Sequence, residues 1–100
     1  MKKQLITAFI ALTISSLAQA DDIAAGEAAY ASKGCIGCHG AAGNSTLPDT
    51  AKLNGQHALY LTNALNAYKN GGRNHPVMTA MAAGLSDDEI KQISAYLAAQ

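Results

Sequence analysis

The sequence predicts an all-α domain with three main helices and two long loops. Three observations carry that prediction. Apolar residues recur at helical spacing in three segments, and no stretch alternates apolar and polar in the manner of a strand. The segments are separated by stretches of about fifteen residues rich in glycine, asparagine and proline, longer than most connections in compact domains and typical of loops that carry function. There is no internal repeat and no low-complexity tract.

The chain is 100 residues long, and residues 1–20 read as a leader. Lys2 and Lys3 make a positive start, residues 5–18 are an apolar run, and Ala18-Gln19-Ala20 is a small-x-small cleavage signature. That order is a secretory signal peptide. The run falls short of the roughly 20 apolar residues that span a bilayer, so cleavage is expected before Asp21 and residues 21–100 are expected to form a single domain. No membrane anchor is expected after cleavage, because residue 21 is Asp and offers no N-terminal cysteine for a lipid. The expected location is the periplasm.

The first helix is expected over residues 22–32, with Ile23, Gly26 and Tyr30 on one face. Glycine inside a helix costs about 1 kcal/mol against alanine, which points to a close helix crossing at Gly26. The second is expected over residues 57–69, with Leu61, Leu65 and Tyr68 aligned and Asn70-Gly71-Gly72 as its stop. The third opens on Ser86-Asp87-Asp88-Glu89, a capping box reinforced by acidic residues in the first turn, and continues with Ile90, Ile93, Tyr96 and Leu97. The loops are residues 40–55, with Pro48, and residues 71–85, with Pro76, Met78 and Met81.

Composition narrows the function. Without the two leader lysines, five basic residues face seven acidic ones, a formal charge of −2. There is no basic stripe for nucleic acid. The single Phe lies in the leader and Trp is absent, so the aromatics of the domain are Tyr30, Tyr60, Tyr68 and Tyr96. A core of this size rarely supplies more than about 3–5 kcal/mol without a staple or cofactor. Such a chain needs something large and apolar to fold around.

The stretch KGCIGCHGAAGNS, residues 33–45, supplies a means of holding it. Both cysteines of the chain are here, Cys35 and Cys38, with His39 directly after the second. A disulfide would close a very short loop and constrain the unfolded chain little. A thioredoxin-type dithiol sits beside a βαβ pattern, and no strand is legible. A zinc site needs four ligands; these three residues would have to recruit His57 or His75. Covalent haem accounts for more: in Cys-x-x-Cys-His each thiol adds to one porphyrin vinyl group, and the adjacent imidazole becomes an axial iron ligand. Export agrees with this, since such attachment is completed outside the bacterial cytoplasm. One haem c is expected. A thioether on the other face would complete the His/Met pair typical of cytochromes c, and Met78 and Met81 both lie in the second loop, one of them as a core filler.

Beyond the motif, GEAAYASKGCIGCHGAAGNS, LNGQHALYL, MTAM and LSDDEIKQISAYL resemble successive blocks of the bacterial class I c-type cytochromes, most closely one half of the di-haem members, over nearly all of residues 21–99. The resemblance implies the small cytochrome c fold, with the first and last helices crossing at Gly26 and Tyr96 close by. It implies Met78 as the iron ligand and Met81 packed nearby, and a haem largely buried with one edge open near the thioethers. It departs from the family at Ala51: relatives usually carry proline there, and its carbonyl accepts the Nδ1–H of the ligand histidine.

These expectations describe a single-electron carrier and not an enzyme. With both axial positions filled by protein, substrate has no route to the iron. Redox partner proteins would dock transiently at the haem edge, in a small, salt-sensitive encounter, with the carrier a monomer. Tyr60 and Tyr68 are read as packing, and Arg73 and Lys52 as surface charge with a haem propionate as the alternative partner. His57 and His75 are read as surface histidines. The rival reading is an open-site haem protein, a gas sensor or peroxidase-like enzyme, for which Arg73-Asn74-His75 is the only suggestive distal group.

Overall fold

The computed structural model describes the backbone of residues 2–100 and the side chains of residues 16–100. Among the described residues five helices follow in order: α1 Lys2–Ser32, α2 Ile36–His39, α3 Ala58–Asn70, α4 Pro76–Ala83 and α5 Asp87–Ala98, with a 3-10 turn at Ala41–Gly43. No strand occurs among the described residues. The all-α expectation holds, and α1, α3 and α5 are the three main helices.

Two features differ from the sequence reading. α1 begins at Lys2 instead of near residue 22. Nothing between Ala18 and Ala25 breaks a helix, since Ala and Gln are good formers and neither Gly nor Pro intervenes. The apolar run expected of the leader lies mostly outside the described side chains, and among the described residues no helix is long and apolar enough to cross a membrane. The second difference is in residues 71–85, expected as loop, which hold the eight-residue α4. Pro76 occupies its first position, where a missing N–H costs nothing and the fixed φ is already helical.

The core sits where α1 and α5 cross and α3 lies against α5. Ala29 and Tyr30 enter from α1, Leu61 from α3, and Ile90, Ile93, Tyr96 and Leu97 from α5, with Leu85 closing the connection before α5. Each large side chain buried here contributes about 1.5–3 kcal/mol. Gly26 is the point of closest approach. A Cβ there would lie 2.8 Å from Tyr96 Cβ and would overlap the Gln92 carbonyl. The Tyr30 and Tyr96 rings meet beside it at 5.7 Å, tilted by 48°.

The helix ends follow the expected chemistry. Ser86 Oγ accepts from Glu89 N–H at 3.1 Å and Glu89 Oε1 accepts from Ser86 N–H at 3.0 Å, the full capping box. The Ser86 backbone N–H, with Lys33 close by, holds the Glu89 carboxyl below the usual carboxylate range. α3 ends at Gly71 with φ +90 in the left-handed region, a conformation glycine adopts without steric cost.

Candidate cofactor site

α1 and α2 set up one wall. After α1 the chain turns at Gly34 (φ +80), and Cys35 N–H donates to the Tyr30 carbonyl at 3.1 Å. α2 then carries Ile36 to His39, its single turn closed by His39 N–H to the Cys35 carbonyl at 2.9 Å and Gly40 N–H to the Ile36 carbonyl at 3.0 Å. The Tyr30 hydroxyl donates to the Gly40 carbonyl at 2.6 Å, which ties the exit of the motif to the core. Tyr30 is almost fully buried, and burial, with a smaller contribution from Cys35, pushes its phenol up to about 12.

Cys35 is half-buried and Cys38 exposed, and the two are not joined in a disulfide. Burial pushes the Cys35 thiol up. His39 Nδ1 lies 2.8 Å from the Ala51 carbonyl oxygen. A carbonyl only accepts, so Nδ1 carries the proton and Nε2 keeps its lone pair free. Position 51, where the resemblance leads one to expect proline, therefore still presents the oxygen that orients the imidazole. A backbone carbonyl does not depend on its side chain.

The other wall comes from α3 and α4. A cavity of about 230 Å³ lies between the elements, and Cys35, Cys38, His39, Met78 and Met81 all line it. Leu61, Ala64, Leu65 and Tyr68 line it from α3, Val77 and Ala82 from α4, and Ile93 and Leu97 from α5. The sequence-predicted residues thus come together in one largely apolar chamber. The two methionines differ in surroundings. A Cβ on Gly34 would lie 3.8 Å from the Met81 methyl, so Met81 packs against the turn that leads into α2.

The remaining candidates divide. Lys52, Arg73, Tyr60 and Tyr68 also line the cavity, and the Arg73 guanidinium stacks over the Tyr68 ring at 4.7 Å. His57 and His75 do not line it; they sit before the first residues of α3 and α4. His75 Nδ1 accepts backbone N–H groups, which places its proton on Nε2 in the neutral ring and leaves no lone pair for a metal. Arg73 and His75 consequently have separate tasks and do not form a distal acid–base pair. Among the described residues no group of three or more His, Cys, Asp or Glu side chains is placed to hold a metal ion.

Several cavity residues were not singled out from the sequence. Leu53, Gln56, Ala64 and Val77 line it, and the only prior signal for Gln56 was its place beside His57 in LNGQHALYL.

Residues 23–100 match the family described as Cytochrome c. Cytochrome c-554(548) of Halomonas halodenitrificans is 43% identical over 84 residues, covering 81% of this chain and 99% of that protein. Cytochrome c4 of Pseudomonas aeruginosa is 41% identical over 101 residues, covering 100% of this chain and 49% of that protein, so the chain spans about half the length of the c4 relative. A protein of Stutzerimonas stutzeri named thiosulfate dehydrogenase electron acceptor is 40% identical over 67 residues, 64% of this chain and 31% of that protein.

Proposed function

Because this chain belongs to the cytochrome c family, and is a c-type haem electron carrier with its haem covalently bound, we propose that it is a periplasmic one-electron shuttle with His39 and Met78 as axial ligands. The observation that carries the proposal is the His39 geometry. Its Nδ1–H is fixed on the Ala51 carbonyl and its Nε2 lone pair is free, in a cavity shared with both thiols and both methionines.

Each residue then has a task. Cys35 and Cys38 form the two thioethers, with Cys35 anchored through its N–H to Tyr30 in the core. His39 would hold the iron through its Nε2 lone pair, and its bond to the Ala51 carbonyl would raise its basicity as a ligand. Met78 would supply its thioether, and Met81 packs against Gly34. Leu61, Leu65, Ile93 and Leu97 exclude water from the cavity. When bound, the haem supplies one chemistry, the reversible uptake and release of a single electron at iron. Two protein ligands in a chamber this apolar would leave no open position for a substrate, which accords with a carrier and not an enzyme.

Removal of residues 1–20 would deliver residues 21–100, with a formal charge of −2, to the periplasm. The partners proposed are redox proteins that dock transiently at the exposed haem edge, with the carrier a monomer. The electron-acceptor role printed in the name of the Stutzerimonas relative supports that class of partner.

The test is the visible spectrum of protein exported with haem maturation, reduced with dithionite, before and after carbon monoxide. A sharp low-spin c-type spectrum that the gas leaves unmoved is expected. A strong shift would mean an open sixth position and would remove Met78 from the ligand set.

A further inference from the structure

α4 is only eight residues long, and an isolated helix shorter than about 12 residues is marginal in water. Ala82 near its end is its one fully buried side chain, whereas Val77 in its first turn is half-exposed. The first turn therefore depends on how its backbone donors are met, because the first N–H groups of a helix have no partner within it. Pro76 has none to satisfy. Val77 N–H and Met78 N–H both donate to His75 Nδ1, at 3.2 and 3.3 Å. Thr79 N–H donates to the His75 carbonyl at 2.9 Å, and His75 N–H donates back to Thr79 Oγ1 at 2.9 Å. One residue receives every donor of the turn.

We propose that His75 is the positioning residue for the sixth iron ligand: its imidazole caps α4 and fixes Met78, whose own N–H it accepts, in the place from which the thioether reaches iron. The proposal rests on the reading of Met78 as that ligand. The usual helix caps are Ser, Thr, Asp and Asn. His75 does the same work because Nδ1 is bonded to Cγ, just as the side-chain oxygen of asparagine is. Its separation from the backbone is therefore matched by asparagine and by no apolar residue.

Losing an N-cap is worth about a two- to thirtyfold shift in the equilibrium it holds. Applied to α4, His75→Ala should raise the fraction of protein with Met78 detached by that factor. The experiment uses holoprotein with covalently attached haem. It compares the wild type with His75→Ala, His75→Asn and Thr79→Val, and runs Met78→Ala in parallel. The readouts are the ferric methionine-to-iron charge-transfer band, the rate of carbon monoxide uptake by the ferrous form, and the denaturant midpoint.

His75→Ala is expected to weaken the band and speed uptake two- to thirtyfold, His75→Asn to restore both, and Thr79→Val to fall between. If His75→Ala moves the midpoint but leaves band and uptake at wild-type values, the role is merely structural and the proposal is overturned. It is equally overturned if alanine and asparagine behave alike. If the wild type lacks the band, or Met78→Ala leaves the spectrum unchanged, the Met78 reading has failed instead, and that failure is visible without reference to His75.

Discussion

The two walls of the cavity are built on opposite plans. The α2 wall, which carries Cys35, Cys38 and His39, is laced into the core and needs unusual backbone to get there. Gly34, Gly40, Ala42 and Gly43 all have positive φ within ten residues, and Gly43 is buried with its carbonyl accepting from Leu53 and Asn54. The α4 wall has no residue of positive φ after Gly71. It is a short regular helix held at one end by an imidazole and at the other by Ala82 and two lysines. Lys33 Nζ donates to the Gly84 carbonyl at 3.4 Å and lies 3.5 Å from Glu89. Lys69 Nζ donates to the Leu85 carbonyl at 2.5 Å. The attachment proposed for Cys35 and Cys38 sits on the laced wall, and the ligand proposed for the other face sits on the wall that can yield.

The largest expected effect comes from removing the foundation of the rigid wall. Gly26→Ala drives a methyl into the Gln92 carbonyl and against Tyr96. The gain in helix propensity, about 1 kcal/mol, offsets only part of the overpacking, which costs about 1–3 kcal/mol and more where backbone must move. Because backbone must move here, the cost sits at or above the top of that range, and a net loss of about 2 kcal/mol or more is expected in denaturant unfolding of the holoprotein. A loss below about 0.5 kcal/mol would mean that the α1–α5 crossing does not underlie the site.

Tyr30→Phe is the next step down. It keeps the ring against Tyr96 and removes only the bond to the Gly40 carbonyl, a change worth about 1–2 kcal/mol when the acceptor loses its partner. It also carries a pH signature. The phenol is raised in the folded state to about 12, chiefly by burial. Its contribution is therefore complete below the unfolded value of 10.0 and is lost as pH rises from there through the folded value. Burial also raises the Tyr96 phenol, so alkaline titration of stability should show a steeper loss in the wild type than in Tyr30→Phe, which keeps only the Tyr96 part. The same slope in both would place the loss elsewhere.

The contrast between the walls also explains what could be read from the sequence. Signals that act within a few residues were legible. The Ser86 capping box, the Gly71 stop, the Gly26 crossing and the Cys-x-x-Cys-His spacing each declare their chemistry locally. α4 was not legible, because Pro76 marks a helix start as readily as a loop and the capping donor-acceptor set belongs to a histidine, a residue outside the usual cap list. Long-range geometry came only through the family resemblance, which pointed to the carbonyl of position 51. No local signal brings that carbonyl to His39, twelve positions away, or sets Arg73 over Tyr68. Ser94 is the remaining case: its hydroxyl is buried without a hydrogen-bond partner, on the core face of α5, where the periodic pattern gives no reason to expect it.

The smallest effect should fall on the yielding wall alone. Lys69→Met keeps the aliphatic stem and removes the charged donor to the Leu85 carbonyl, together with the 3.9 Å contact to the exposed Asp87 carboxylate. An exposed ion pair is worth little and is screened by salt, so the change should cost less than about 1 kcal/mol in global unfolding, most of it from the hydrogen bond. Its local consequence is more telling. Leu85 joins α4 to α5, and Lys69 reaches it from the last turn of α3, so the bond holds the far end of α4 against the helix beside it. Without it, the amides of residues 80–85 should exchange with solvent about two- to tenfold faster, the range expected from one net hydrogen bond. The amides of Gly40, Gly43 and Asn44, held through Tyr30 and the first loop, should keep their wild-type rates. Equal acceleration on both sides would show that the two walls open as one cooperative unit, and the division between a rigid attachment face and a yielding ligand face would have to be abandoned.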